Sequence, residues 1–166
     1  DPNVKKINAY ITKKVADKLE EIFKTDRKSL EDKWESLGLF VKYGMMTDDK
    51  FLERANKFNI YEDASPVKDA DGETKKFYTL EEYRSAAETL QKNKEGKLVM
   101  LYTTDPVQQN SFIAAAIQKN YIVVNLETIV DAAFINTMEM KWNDIQFVRV
   151  NEDIADNLVV KSENKQ

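Results

Sequence analysis

Between Val4 and Phe23 the apolar residues Val4, Ile7, Ile11, Val15, Leu19, Ile22 and Phe23 recur every three or four positions. That spacing predicts one long helix with a single apolar face. Lys5, Lys13, Asp17, Lys18, Glu20 and Glu21 fill the opposite face, as expected of a solvated surface. Asp26 suits the N-cap of a second helix whose stripe is Leu30, Trp34, Leu37, Phe40 and Val41. Gly44 then stands where that helix should end in a left-handed cap. Thr47 or Asp48 opens a third helix carrying Phe51, Leu52, Ala55 and Phe58.

The pattern changes at 59–76, where Ala64-Ser65-Pro66 and Asp69-Ala70-Asp71-Gly72-Glu73 concentrate turn-forming residues. Asp71-Gly72 predicts a hairpin turn between Ile60-Tyr61 and Phe77-Tyr78, with a mobile loop at its tip. Thr79-Leu80-Glu81-Glu82 has the form of a capping box and starts a helix running to about Leu90. Beyond it, strand and helix alternate. Leu98 to Tyr102 is a continuous apolar run, expected of a strand buried on both faces. Thr104-Asp105-Pro106 offers an N-cap and a first-turn proline for a helix with Phe112, Ile113, Ala116 and Ile117. A strand at Tyr121–Leu126, a helix from Thr128 to about Met140 and a strand at Ile145–Val150 follow. Asn151-Glu152-Asp153-Ile154 starts a last short helix. Such alternation predicts a parallel sheet between helices.

The expected fold class is therefore α/β: an N-terminal helical connector followed by a small three-layer α/β/α subdomain with a short, mainly parallel sheet. The connector is assigned to 1–92, with its loop or hairpin at about 59–78. The subdomain is assigned to 93–160, and 161–166 to a frayed polar tail.

Composition narrows the function. The 166 residues carry 25 basic and 29 acidic side chains, a net charge of −4. A nucleic-acid reader normally shows a clustered positive face, so that class is disfavoured. The apolar runs are far shorter than the ~20 residues of a bilayer span, and the start lacks the apolar core of a signal peptide. Neither a membrane nor a nucleic-acid partner is expected. Without an initiator Met, the chain reads as part of something longer. Cysteine and histidine are both absent. Thiol nucleophiles, His-based triads and zinc sites built on sulfur or imidazole are thus excluded, and no EF-hand spacing is found.

A parallel sheet invites a nucleotide, so the first strand-to-helix turn is where that idea is tested. It reads Tyr102-Thr103-Thr104-Asp105-Pro106-Val107. A phosphate cradle needs glycines for close backbone approach, and here there are none, while Asp105 adds a repelling charge. Asp105 is also the residue on which an alternative depends, a stand-alone α/β enzyme or phospho-receiver-like signalling domain. As a helix cap it needs no such role. Glu81-Glu82 and Asp48-Asp49 are carboxylate pairs at helix starts, where they complement the helix dipole. Met138, Met140 and Trp142 form a soft apolar cluster at the end of a helix. Such soft surfaces suit promiscuous protein contacts, though the same residues could simply cover the sheet.

Several stretches, in order along nearly the whole chain, resemble ninety-kilodalton heat-shock chaperones of the bacterial HtpG type. They are Asp1-Pro2-Asn3-Val4-Lys5-Lys6-Ile7, Tyr10 to Val15, Asp17-Lys18-Leu19, Trp34 to Gly44, and Thr79-Leu80-Glu81-Glu82-Tyr83. Leu98 to Asp105 is similar to the family's strand ending in Thr-x-Asp, and the match extends to Phe147-Val148-Arg149-Val150. Two places depart from the family pattern. Val130-Asp131-Ala132-Ala133-Phe134 keeps an Asp, lacks the following Glu and displaces the aromatic. Lys141-Trp142-Asn143-Asp144 lacks the usual glycine.

The resemblance implies a fragment of the middle segment of an ATP-dependent chaperone in the cytoplasm. ATP and Mg²⁺ would belong to the parent protein, bound in an N-terminal domain and completed by a middle-segment arginine outside this chain. No cofactor or metal is expected in the fragment itself, and it is expected to be non-catalytic in isolation. The implied partners are unfolded or partly folded client proteins and the other domains of the same chain. The parent would be a homodimer joined through a C-terminal domain. Phe134, Met138, Met140 and Trp142 are the candidate client contacts.

Overall fold

The computed structural model describes residues 1–65, 67–70, 72–151, 154 and 158. The first of two units, Asp1–Ile60, is helical. Helix α1 (Pro2–Thr25) begins on Asp1, whose carboxylate accepts from the Asn3 amide. Asp26 caps α2 (Arg27–Asp32) by accepting from the Ser29 amide, and α3 (Trp34–Thr47) follows after a one-residue break at Lys33. Asp48 accepts from the Lys50 and Phe51 amides and so starts α4 (Asp49–Ala55). Each cap satisfies amides that the first helical turn leaves without partners.

Three expectations fail in this unit, the first being the single helix carrying Leu30 to Val41, which is broken at Lys33 into α2 and α3. Gly44 is not a left-handed cap, since α3 runs through it to Thr47. A Cβ at Gly44 would lie 2.8 Å from the Phe51 ring, so glycine is required there for close packing between α3 and α4. The apolar face of α1 is also only half used. Ala16 and Leu19 are buried, but Val4, Ile7, Ile11 and Val15 remain exposed, because α2 and α4 pack only along the later turns.

The second unit comprises Tyr61–Gln166. Strand β1 (Ile60–Glu62) pairs with β4 (Phe77–Thr79). Between them β2 (Val67–Asp69) and β3 (Gly72–Thr74) form an antiparallel ribbon in which Asp69 lies opposite Gly72. Gly72 has φ +113°, a conformation that favours glycine. Asp71, the other half of the expected turn at the hairpin tip, lies outside the described residues, as do most of the expected last helix and all of 161–166. Thr79 and Glu82 complete a reciprocal capping box that starts α5 (Leu80–Ala87).

Strands β5 (Leu98–Thr103), β6 (Val123–Asn125) and β7 (Ile145–Arg149) form a parallel sheet with β5 at its centre. Helix α6 (Asn110–Gln118) joins β5 to β6, and α7 (Asp131–Lys141) joins β6 to β7. The protein is thus mixed α/β with a small parallel sheet, as its pattern predicts. Val99 and Leu101 project into a cluster with Ile113, Ala116, Val123 and Val148. Leu98 and Met100 alternate to the other face and are equally buried, which explains the unbroken apolar run.

Both connecting helices start later than the sequence suggests. Asp105 and Pro106 do not cap α6; they open a separate turn whose Gln109 amide donates to the Asp105 carbonyl at 2.9 Å. Thr128 does not cap α7 either. Its amide and hydroxyl both donate to Asp131, at 2.9 Å each, so the carboxylate holds the turn in front of the helix. The division between units falls at Ile60/Tyr61, upstream of the 92/93 boundary drawn from sequence, because α5 is hydrogen-bonded to the sheet through Tyr83.

Candidate functional site

The carboxyl edge of the parallel sheet is where α/β ligands usually bind. Here the chain fills that place with its own side chains. Thr103, fully buried at the end of β5, donates its hydroxyl to the Gln109 side-chain oxygen and accepts from the Asp105 amide at 3.1 Å. The Gln109 amide nitrogen donates in turn to the Val150 carbonyl at 3.2 Å. Groups that a phosphate would need are therefore already hydrogen-bonded within the turn. The Asp105 carboxylate accepts from the Gln108 amide at 3.0 Å, the capping role of an ordinary turn. The turn lacks glycines, and its Thr103, Asp105 and Gln109 side chains are engaged in hydrogen bonds within the chain. Among the described residues, no three carboxylates are placed to share a metal ion.

The same edge is acidic. The base of the hairpin is stitched to β6, with the Ala64 amide donating to the Val123 carbonyl at 2.7 Å and Asp63 bridging Val124. This brings Glu62 to Asn125, whose side-chain amide donates to it at 2.8 Å, while Lys75 sits 3.1 Å from the same carboxylate. Burial raises the Glu127 carboxyl above its ordinary range, and Glu62, Asp105 and Asp131 push it further in that direction. Lys75 opposes them.

The four candidate client contacts separate. Phe134 and Met138, one helical turn apart on α7, are completely buried and offer no surface, which corrects their assignment as contacts. Their spacing places them on one face, and that face is core: Tyr61 lies 6.5 Å from the Phe134 ring. Trp142 is half-buried and meets Phe134 edge to face, with ring centroids 6.4 Å apart. Met140 alone stands out from the surface, at 81% exposure.

Comparisons with known proteins place this geometry. No family model matches the chain. The chaperone protein HtpG of Porphyromonas gingivalis is 46% identical over all 166 residues. HtpG of Bacteroides thetaiotaomicron is 41% identical over 165 residues, and HtpG of Bacteroides fragilis 40% over 165. The chain belongs to the HtpG chaperone family. It spans 23% of the length of each of these relatives, while they cover 99–100% of it. Among solved structures, the middle domain of a Plasmodium falciparum heat shock protein superposes with a TM-score of 0.60 at 16% identity. That match covers 88% of this chain and 57% of the other, and at such identity it concerns the fold.

Two features of this HtpG segment escaped the sequence reading. Tyr83, fully buried on α5, is a polar hub: its hydroxyl donates to the Ile122 carbonyl at 2.6 Å and accepts from Gln91 at 2.7 Å and from the Leu101 amide at 3.1 Å. The Gln91 side chain also joins the Val99 carbonyl to the Ile122 amide, at 2.9 and 2.7 Å. Burial raises the Tyr83 hydroxyl well above the ordinary tyrosine range. Arg54, on α4, grips α1 in a fork, with one nitrogen 2.7 Å from Asp17 and another 3.0 Å from Glu20. Its hydrogen bonds are the main reason both carboxyls lie below their ordinary values. The capping pattern and the family-like stretch Thr79 to Tyr83 pointed toward α5, but nothing in the spacing marked Tyr83 as a buried hub or Arg54 as a clasp.

Proposed function

We propose that the chain is the client-facing part of the middle segment of an ATP-dependent HtpG chaperone, acting in the cytoplasm and performing no chemistry of its own. Identity of 46% across its whole length to a chaperone HtpG carries this reading. The plugged strand-to-helix turn supports it, because an edge already filled by Thr103 and Gln109 is not shaped to hold a triphosphate. ATP binding and dimerisation are then tasks for the rest of the parent protein. This segment would link ATP-driven domain closure to the client. Helix α1, with 24 residues, is a stiff rod of about 36 Å suited to carrying rigid-body motion. Met140, with Trp142 beside it, is the part of the α7 terminus able to touch a client.

The test uses the whole chaperone and the isolated chain side by side. The whole protein should hydrolyse ATP and suppress aggregation of a denatured client, and the isolated chain should bind no nucleotide by calorimetry. Stoichiometric nucleotide binding by the chain alone would count against the proposal. In the whole protein, Met140→Ser should weaken suppression without changing the unfolding midpoint; unchanged suppression removes Met140 as a contact.

A further inference from the structure

Strands β5 and β6 end side by side, with Thr103 paired to Asn125 as the last rung of their ladder. Two residues past each end stands a carboxylate, Asp105 and Glu127. Two residues further stands an aliphatic side chain, Val107 at 82% and Ile129 at 89% exposure. These are the two most exposed of the large apolar residues of the described chain. Turn positions ordinarily take small or polar residues, and neither side chain contributes burial to the fold. The order acid, spacer, aliphatic thus occurs twice, at matched register, in adjacent loops.

We infer that this rim of Asp105, Val107, Glu127 and Ile129 is a docking surface for unfolded polypeptide in which lysine or arginine alternates with apolar residues. The inference rests on the chaperone reading and names the kind of client segment it would select. The charge of the rim chooses the partner. Glu62 is already satisfied by Lys75 and Asn125, and Asp131 is engaged by Thr128. Among the salt bridges of the described residues none involves Asp105 or Glu127, and the Lys75 that acts on Glu127 is bound to Glu62. Burial first, and then the nearby carboxylates Glu62 and Asp105, raise the Glu127 carboxyl, and a basic group arriving at this acidic rim offsets their charge. The two aliphatic side chains then give an apolar neighbour of that basic group somewhere to bury. An apolar segment without basic residues would leave the carboxylates uncompensated, and a basic segment without apolar residues would leave Val107 and Ile129 in water.

The experiment maps amide shifts of the labelled 166-residue chain on adding a short peptide of alternating Lys and Leu. Matched Lys-Ser and Glu-Leu peptides are the controls. The Lys-Leu peptide should shift residues 104–109 and 126–130 and bind about 10-fold or more tightly than either control, with the advantage shrinking as salt screens the charges. Asp105→Asn with Glu127→Gln, and separately Val107→Ser with Ile129→Ser, should each weaken it several-fold while leaving the unfolding midpoint in place. Shifts confined elsewhere, or equal binding of the three peptides, would overturn the inference. Transferring both pairs of substitutions into the whole chaperone separates it from the broader reading. Full protection of a Lys- and Leu-rich client by the substituted protein sinks only the rim. A wild-type protein that protects no client sinks the chaperone reading and the rim together.

Discussion

Gly44 lies so close under the ring of Phe51 that a methyl group on its α-carbon would sit 2.8 Å from two ring carbons. The ring cannot easily retreat, because Phe51 is buried and packs edge to face on Phe58, 6.1 Å away. Gly44→Ala would gain up to about 1 kcal/mol of helix propensity within α3. Overpacking costs about 1–3 kcal/mol and should win. Urea unfolding should therefore show a net loss of about 1 kcal/mol, and Gly44→Val a larger one. A stabilised Gly44→Ala would mean that α3 and α4 part without cost.

Tyr83→Phe is expected to be among the costly single-atom deletions. It leaves the Leu101 amide, the Ile122 carbonyl and one Gln91 donor without their partner in a dry interior. Unsatisfied buried groups cost about 1–3 kcal/mol, so a loss of about 2 kcal/mol in unfolding free energy is expected. The same hydroxyl sets an alkaline limit. Its folded pKa, like that of Tyr78, lies above the unfolded value, in both cases chiefly through burial. Its stabilising contribution is then complete below about pH 10 and fades as pH rises toward the folded value. Tyr83→Phe should flatten the alkaline limb of a stability-versus-pH curve; an unchanged limb would contradict the assignment.

Features decided within one turn of chain were legible in the sequence. Asp26, Asp48 and the Thr79–Glu82 box reach amides two or three residues away, and all three start helices where their pattern says. The alternation from Leu98 onward fixed a parallel sheet because the apolar run and its connecting helices leave few other arrangements. What failed depends on distant partners. Gly44 is set by an aromatic ring on the next helix, and the late start of α6 by Gln109 reaching Val150, 41 residues away. Phe134 and Met138 were misassigned because a shared helical face looks the same whether it meets core or client. At the carboxyl edge, the lack of glycines was readable, whereas the Thr103–Gln109 plug required coordinates.

Arg54 gives the helical unit an acid-sensitive clasp. Its hydrogen bonds hold the Asp17 and Glu20 carboxyls below their ordinary values of 3.8 and 4.5. A lowered folded pKa adds stability above the ordinary carboxylate range and loses it as pH falls through the folded value. Arg54→Gln should thus be less stable than the native chain near pH 7, and the gap should close as pH falls below the lowered carboxyl values. The groups are partly exposed, so added salt should narrow the gap as well. A difference that persists undiminished in acid would point to lost packing of the arginine stem instead.

The unused apolar face of α1 makes the sharpest contrast. Ile7 and Ile11 are 58% and 52% exposed, whereas Leu19, farther along the same stripe, is 7% exposed. Periodicity alone treats the three alike. Stability should not. Replacing both isoleucines by glutamine removes no buried contact and should change the unfolding free energy by no more than about 0.5 kcal/mol. Leu19→Ala should cost about 2–4 kcal/mol through lost burial and the cavity it leaves. Circular dichroism melts of the two variants decide the matter. Comparable losses in both would show that the first turns of α1 are packed in solution, and that the stripe is core along its entire length.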